Sequence, residues 1–190
     1  MTVALVRGFK ADANRMAREV RGELGLAPTA PLDPWRLAEH LDVPVLALSG
    51  LAAGAPRAVA QFQEVDPSEF SAVTVFAGRR RLVVYNEVHA RGRQSSNLTH
   101  ELAHALLLHP AAPALDTNGR RVWRDELEEE ADWLAGSLLV PDEAAFALAR
   151  GRIAVDLAAE RYGVSEAMMR FRLNVTGAAK RVARRSTSRS

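Results

Sequence analysis

The sequence predicts an α+β protein, and three observations carry that expectation. Apolar residues recur at helical spacing in several segments on either side of the chain's middle. Between them lie two β-rich runs joined by a short glycine-containing link, the pattern of a hairpin. The length, 190 residues with 48% apolar and 25% charged composition, suits one domain with a real core, or one domain with a small appendage.

The elements follow in order. From Phe9 to Leu24 the apolar positions Ala13, Met16, Ala17, Val20 and Leu24 are spaced for a helix, and Gly25 is a stop. Asp33-Pro34 opens a second helix, with Asp33 as N-cap and Pro34 in the first turn, running to about Leu41. Val43–Leu48 reads as a strand. The Gly, Pro and Ala content between Gly50 and Pro67 predicts irregular chain. The hairpin follows, Ala72–Phe76 and Arg81–Tyr85 joined by Gly78-Arg79-Arg80. After a loop at Asn86–Arg93, a helix is expected from about Ser95 to His109, ended by Pro110. Ala111–Arg124 reads as a loop, Asp125–Val140 as a helix ending before Pro141, and Asp142–Arg150, Ile153–Tyr162 and Ser165–Asn174 as shorter helices.

The helix before Pro110 is apolar nearly all round, so it is expected to be buried. Yet it carries His100-Glu101-Leu102-Ala103-His104. Residues four apart share a helical face, so both histidines can offer a ring nitrogen to one ion. Glu101 sits about 100° round the helix, placed to reach a ligand of that ion rather than the ion. This is the HExxH pattern of zinc hydrolases, with the glutamate as general base. The chain has no cysteine, which excludes disulfides, thiolate ligands and cysteine nucleophiles, so a metal must rest on His, Asp or Glu.

A catalytic zinc site needs a third protein ligand and an open position. The next helix offers Glu126, Glu128, Glu129 and Glu130. Glu128 and Asp132 are four apart, so a metal-bound Glu128 puts Asp132 where it can accept the outward N–H of a ligand histidine. Glu126 is followed at that spacing by Glu130, Glu129 by Trp133 and Glu130 by Leu134. Glu128 is therefore the preferred ligand, with Glu129 and Glu130 as alternatives.

HELAHALLLHP at 100–110 and ELEEEADWLAGSLLVP at 126–141 resemble the ImmA/IrrE family of zinc metallo-endopeptidases. The family's second helix has the form E-x-E-A-[N/D]-x-x-A-x-x-L-L-x-P. Glu128, Glu130, Ala131, Asp132, Ala135, Leu138, Leu139 and Pro141 stand in step with it, and Trp133-Leu134 are a small departure. The approach RRLVVYNEVHARGRQSSNLTHELAH is also similar to the family's, and the likeness is closest from Arg79 to Pro141.

The resemblance implies a zincin-like fold, a small mostly antiparallel sheet on the active-site helices. It implies Zn2+ as cofactor and cleavage of a protein substrate, a helix-turn-helix transcriptional repressor of a prophage, mobile element or stress response. In that frame Glu101 takes the proton of the attacking water and gives it to the leaving amine. For the developing oxyanion Tyr162, Tyr85, His89 and Arg124 are candidates. His40 and His109 are read as structural, His109 lying on another face of the helix from His104. The strand Arg81–Tyr85 is expected as a sheet edge that binds substrate by strand addition.

Residues 1–150 are expected to form the peptidase domain, 151–179 a helix-turn-helix-like cap and 180–190 a basic flexible tail. Lys180, Arg181, Arg184, Arg185 and Arg189 put +5 on the last eleven residues, so a total of +2 leaves 1–179 at −3. The alternative function is DNA binding. Leu157–Leu173 has helix, Gly-Val-Ser turn and second helix, the latter offering Arg170 and Arg172. Against this, Ser165-Glu166-Ala167-Met168-Met169 is poor in base-reading side chains. No stretch suits a membrane helix or a signal peptide, so the expected location is the cytoplasm.

Overall fold

A computed structural model of the chain describes residues 5–78, 80–110 and 125–187. The loop expected at Ala111–Arg124, with the oxyanion candidate Arg124, lies outside the described residues.

Helix α1 spans Phe9–Glu23 and buries Ala13, Ala17 and Val20. Helix α2 spans Pro34–His40, and the Asp33 side chain accepts from the Trp35 amide as the cap that the sequence predicts. Strand β1 is short, Val45–Ala47. The segment expected to be irregular is a chain of helical turns: 3-10 turns at Leu48–Leu51 and Pro67–Glu69, helix α3 at Pro56–Ala60 and a π-helical turn at Gln61–Val65. Pro56 and Pro67 stand at the starts of such turns, where a missing N–H costs nothing. They initiate structure here rather than break it.

Strands β2 (Ala72–Ala77) and β3 (Arg80–Tyr85) form the hairpin, closed by the pair Ala77 and Arg80, with Gly78 at φ 65° in the turn. The sheet order is β1-β3-β2, and β1 pairs with β3 in parallel. The sheet holds six antiparallel residue pairs against three parallel ones. One expectation is corrected: Arg81–Tyr85 is the central strand rather than an edge. A hairpin pattern reports which strands are joined, whereas β1 reaches β3 from far back in the chain. Among the described residues, the free edge of the hairpin belongs to β2.

Side chains alternate across the sheet. Val83 joins the main core, while Val84 joins Leu48 and Val59 on the other face, with Phe62, Phe70 and Val73 packed against them. The main core gathers Leu98 and Leu102 of α4 (Arg91–Leu106) and Ala131, Leu134 and Leu138 of α5 (Asp125–Leu139). These two helices lie against each other, α4 also touches β2 and β3, and α1 covers α5.

Helices α6 (Asp142–Arg150), α7 (Val155–Tyr162) and α8 (Glu166–Val175) complete the packing. Helix α9, Ala178–Thr187, lies against α6, with Ala178 buried and the Arg181 guanidinium 5.1 Å from the Phe146 ring centroid. Residues 180–187 of the expected basic tail lie on this helix. The basic residues recur within a segment that Ala178 anchors, and charge alone does not prevent a helix.

Candidate metal centre

Two buried arginines fix the end of α5. Arg21 of α1 donates from Nη1 to the Leu138 carbonyl at 2.8 Å, and Arg172 of α8 donates from Nε to the Val140 carbonyl at 2.9 Å. The last carbonyls of a helix have no partner within it, and these guanidiniums supply one. Arg172 also bonds Asp142 Oδ1 at 2.9 Å. Burial lowers both arginines from their ordinary value, against the pull of nearby acids. The other helix of the site, α4, starts beside the turn between α7 and α8. A Cβ at Gly92 would lie 2.7 Å from the Val164 carbonyl carbon, so only glycine permits this approach.

Held this way, α4 and α5 bring His100, His104 and Glu128 together. Their ligand-capable atoms all lie within 4.8 Å of one another. His100 Nε2 is 3.1 Å from Glu128 Oε2 and 3.0 Å from His104 Nε2, and His104 Nε2 is 3.7 Å from the same carboxylate oxygen. Ligands at zinc distances in a tetrahedron stand about 3.3 Å apart, in the middle of that range. The donors, two imidazoles and a carboxylate, suit a borderline-soft dication. Their side chains are 22%, 18% and 29% exposed, so the cluster is open on one side rather than closed like a structural site.

Each imidazole has a partner on its other nitrogen. Asp132 Oδ1 is 2.8 Å from His100 Nδ1. His104 Nδ1 is 2.8 Å from His109 Nδ1, and His109 Nε2 is 3.2 Å from Glu130 Oε2. Glu130, an alternative third ligand in the sequence reading, thus faces His109 instead of the cluster. Glu101 lies outside the cluster, and its Oε2 accepts a hydrogen bond from the Thr74 hydroxyl of β2.

Charge around the histidines is strong. Burial alone pushes His100 down, but its bonds to Asp132 and Glu128 and the charges of Asp132 and Glu101 outweigh it, raising its pKa to about 10. The same contacts, to His100 first and then His104, hold Glu128 well below the usual carboxylate range despite its partial burial. Burial lowers His109, and the charge of His104 adds to this, against the opposing pull of Glu130.

His109 is the residue that sequence reasoning misplaced. The expected helix ran through it, which put its ring on another face. In the structure α4 stops at Leu106, Leu108 turns the chain at φ 54°, and His109 folds back onto His104. Pro110 was the available signal, because the residue before a proline is disfavoured in helical conformation.

The remaining candidates lie elsewhere. The Tyr162 hydroxyl donates to the Thr29 carbonyl, the Tyr85 ring packs edge-on to Trp35, and His89 Nε2 is 2.7 Å from the Pro67 carbonyl. His40 pairs with Glu23 at 2.9 Å. In the helix-turn-helix-like segment, Arg172 is fully buried and the exposed Arg170 pairs with Glu166. Among the described residues, no helix is long and apolar enough to cross a membrane.

The family described as the IrrE N-terminal-like domain, Peptidase_M78, matches residues 38–174, which includes every element that carries this cluster. A comparison with curated proteins finds no match. The chain therefore belongs to the IrrE N-terminal-like family, the metallopeptidases of the Peptidase_M78 type.

Proposed function

We propose that the chain is a zinc-dependent endopeptidase that cuts a protein regulator, a helix-turn-helix transcriptional repressor, in the cytoplasm. The observation that carries this is the convergence of His100, His104 and Glu128 beside Glu101, on a face open to solvent. In this reading the three residues hold Zn2+, and the ion supplies Lewis acidity toward the scissile carbonyl and toward the attacking water.

The chain's own residues do the rest. Asp132 accepts the Nδ1–H of His100, which leaves Nε2 as the free lone pair for the ion. Glu101 takes the proton of the attacking water and passes it to the leaving amine. The Thr74 hydroxyl holds one oxygen of that carboxylate in place. Because Thr74 sits on β2, the strand with a free edge, a substrate added in extended form along β2 passes beside the base. Helices α7 and α8, residues 151–179 in the sequence division, serve as a cap that packs on the peptidase body rather than as a DNA reader. Met169 and Arg172, both fully buried, anchor α8, and Ala158 and Ala159 anchor α7.

Two measurements on the full chain test this. Glu101→Gln is expected to keep its zinc and lose cleavage of a co-expressed candidate repressor by a factor of at least about 10². Retained cleavage dismisses Glu101 as the base. Elemental analysis of Glu128→Ala, Glu129→Ala and Glu130→Ala is expected to show the largest zinc loss for Glu128. Equal zinc in all three rejects Glu128 as a ligand.

A further inference from the structure

The end of α4 is built to place one imidazole on another. His109 N–H bonds the His104 carbonyl at 3.0 Å and Leu108 N–H bonds the Ala105 carbonyl at 3.1 Å, with Leu108 left-handed between them. This pair of bonds is the Schellman closure of a helix, and that closure commonly brings the residue after the left-handed position against the one five before it. Apolar side chains usually fill those two places. Here both are histidines, ring centroids 4.9 Å apart, joined Nδ1 to Nδ1. His109 is 8% exposed, and its far nitrogen meets Glu130 of α5. Arg81 of β3 donates to its carbonyl at 3.3 Å, tying the turn to the sheet.

We propose that His109 is a positioning residue for His104, held by Glu130 so that Nδ1 of His109 is an acceptor for the Nδ1–H of His104. This rests on the reading that His104 meets the ion through Nε2. The proton pattern has one consistent solution. With Nε2 of His104 reserved as a lone pair, its Nδ1 carries the hydrogen and can only donate. His109 Nδ1 must then accept, which puts the hydrogen of His109 on Nε2, facing the Glu130 carboxylate. Glu130-His109-His104 thus does for the second histidine what Asp132 does alone for the first.

The test uses the full chain with zinc alone as probe, in wild type, His109→Leu and His109→Asn. Asparagine places an acceptor near the position of Nδ1, whereas leucine fills the space without one. Chelator competition is expected to show zinc binding weakened about 10–100-fold in His109→Leu, with affinity largely restored in His109→Asn. In ¹⁵N-histidine-labelled zinc-loaded protein, the His104 Nδ1–H should exchange slowly with solvent in wild type and in His109→Asn, and rapidly in His109→Leu. Unchanged affinity in a folded His109→Leu overturns the proposal, and so does equal weakening by both substitutions, which is a packing effect. Failure of the wild type to bind zinc overturns the metal reading itself and is thereby distinguished from failure of His109.

Discussion

A proton on His100 competes for the place that a dication would take. The carboxylates of Glu128, Asp132 and Glu101 favour any positive charge there, which is why the imidazole is raised to about 10. Two opposite pH dependences follow. In chelator-treated protein the raised value stabilises the fold fully below the unfolded-state value of about 6.5, and that contribution is lost as pH rises through about 10. Zinc, by contrast, must expel the proton, so its affinity rises across the same window, by up to about tenfold per pH unit. Denaturant unfolding of the chelated protein and zinc titration, each from pH 6.5 to 9.5, are expected to show slopes of opposite sign. A chelated protein that gains stability with pH contradicts this electrostatic picture.

At the scale of elements, the site depends on how closely α4 approaches the turn between α7 and α8. Gly92→Ala is the sharpest probe, because the added methyl meets backbone at Val164 and Ser165, which cannot rotate away. The expected cost is about 1–3 kcal/mol in thermal or denaturant unfolding, with weaker zinc retention because α4 carries both histidines. An unchanged melting temperature contradicts the contact. Elements of this kind were legible in the sequence where the signal is local. Asp33-Pro34, the spacing of His100 and His104, and the four-residue step from Glu128 to Asp132 are all short-range features. What was not legible depends on distant partners or on the exact end of a helix. The parallel pairing of β1 moved Arg81–Tyr85 from edge to centre, and a helix drawn three residues too long hid His109.

For the molecule as a whole, the buried arginines separate two readings of the C-terminal helices. Arg172 is fully buried and bonded to Val140 and Asp142, so it belongs to the architecture that fixes α5. Arg172→Ala is expected to cost about 3 kcal/mol of stability, since it leaves the buried Val140 carbonyl without its donor and Asp142 without its guanidinium, though Asn14 still bonds that carboxylate. Retention of the chain on DNA should not change beyond what lost folding explains. A stable variant with selectively lost DNA retention contradicts the cap reading. Four of the five basic residues in 180–190 lie on α9, while 1–179 carries −3, so a high pI here reflects one end of the chain.

The entire mechanism requires that one ion be shared by a pair of rings from α4 and a carboxylate from α5. X-ray absorption on the zinc-loaded full chain reads that set directly. The expected shell is two imidazole nitrogens and light oxygen donors at about 2.0–2.2 Å, losing one imidazole in His104→Ala. A shell lacking two imidazoles, or one that His104→Ala leaves unaltered, contradicts the account.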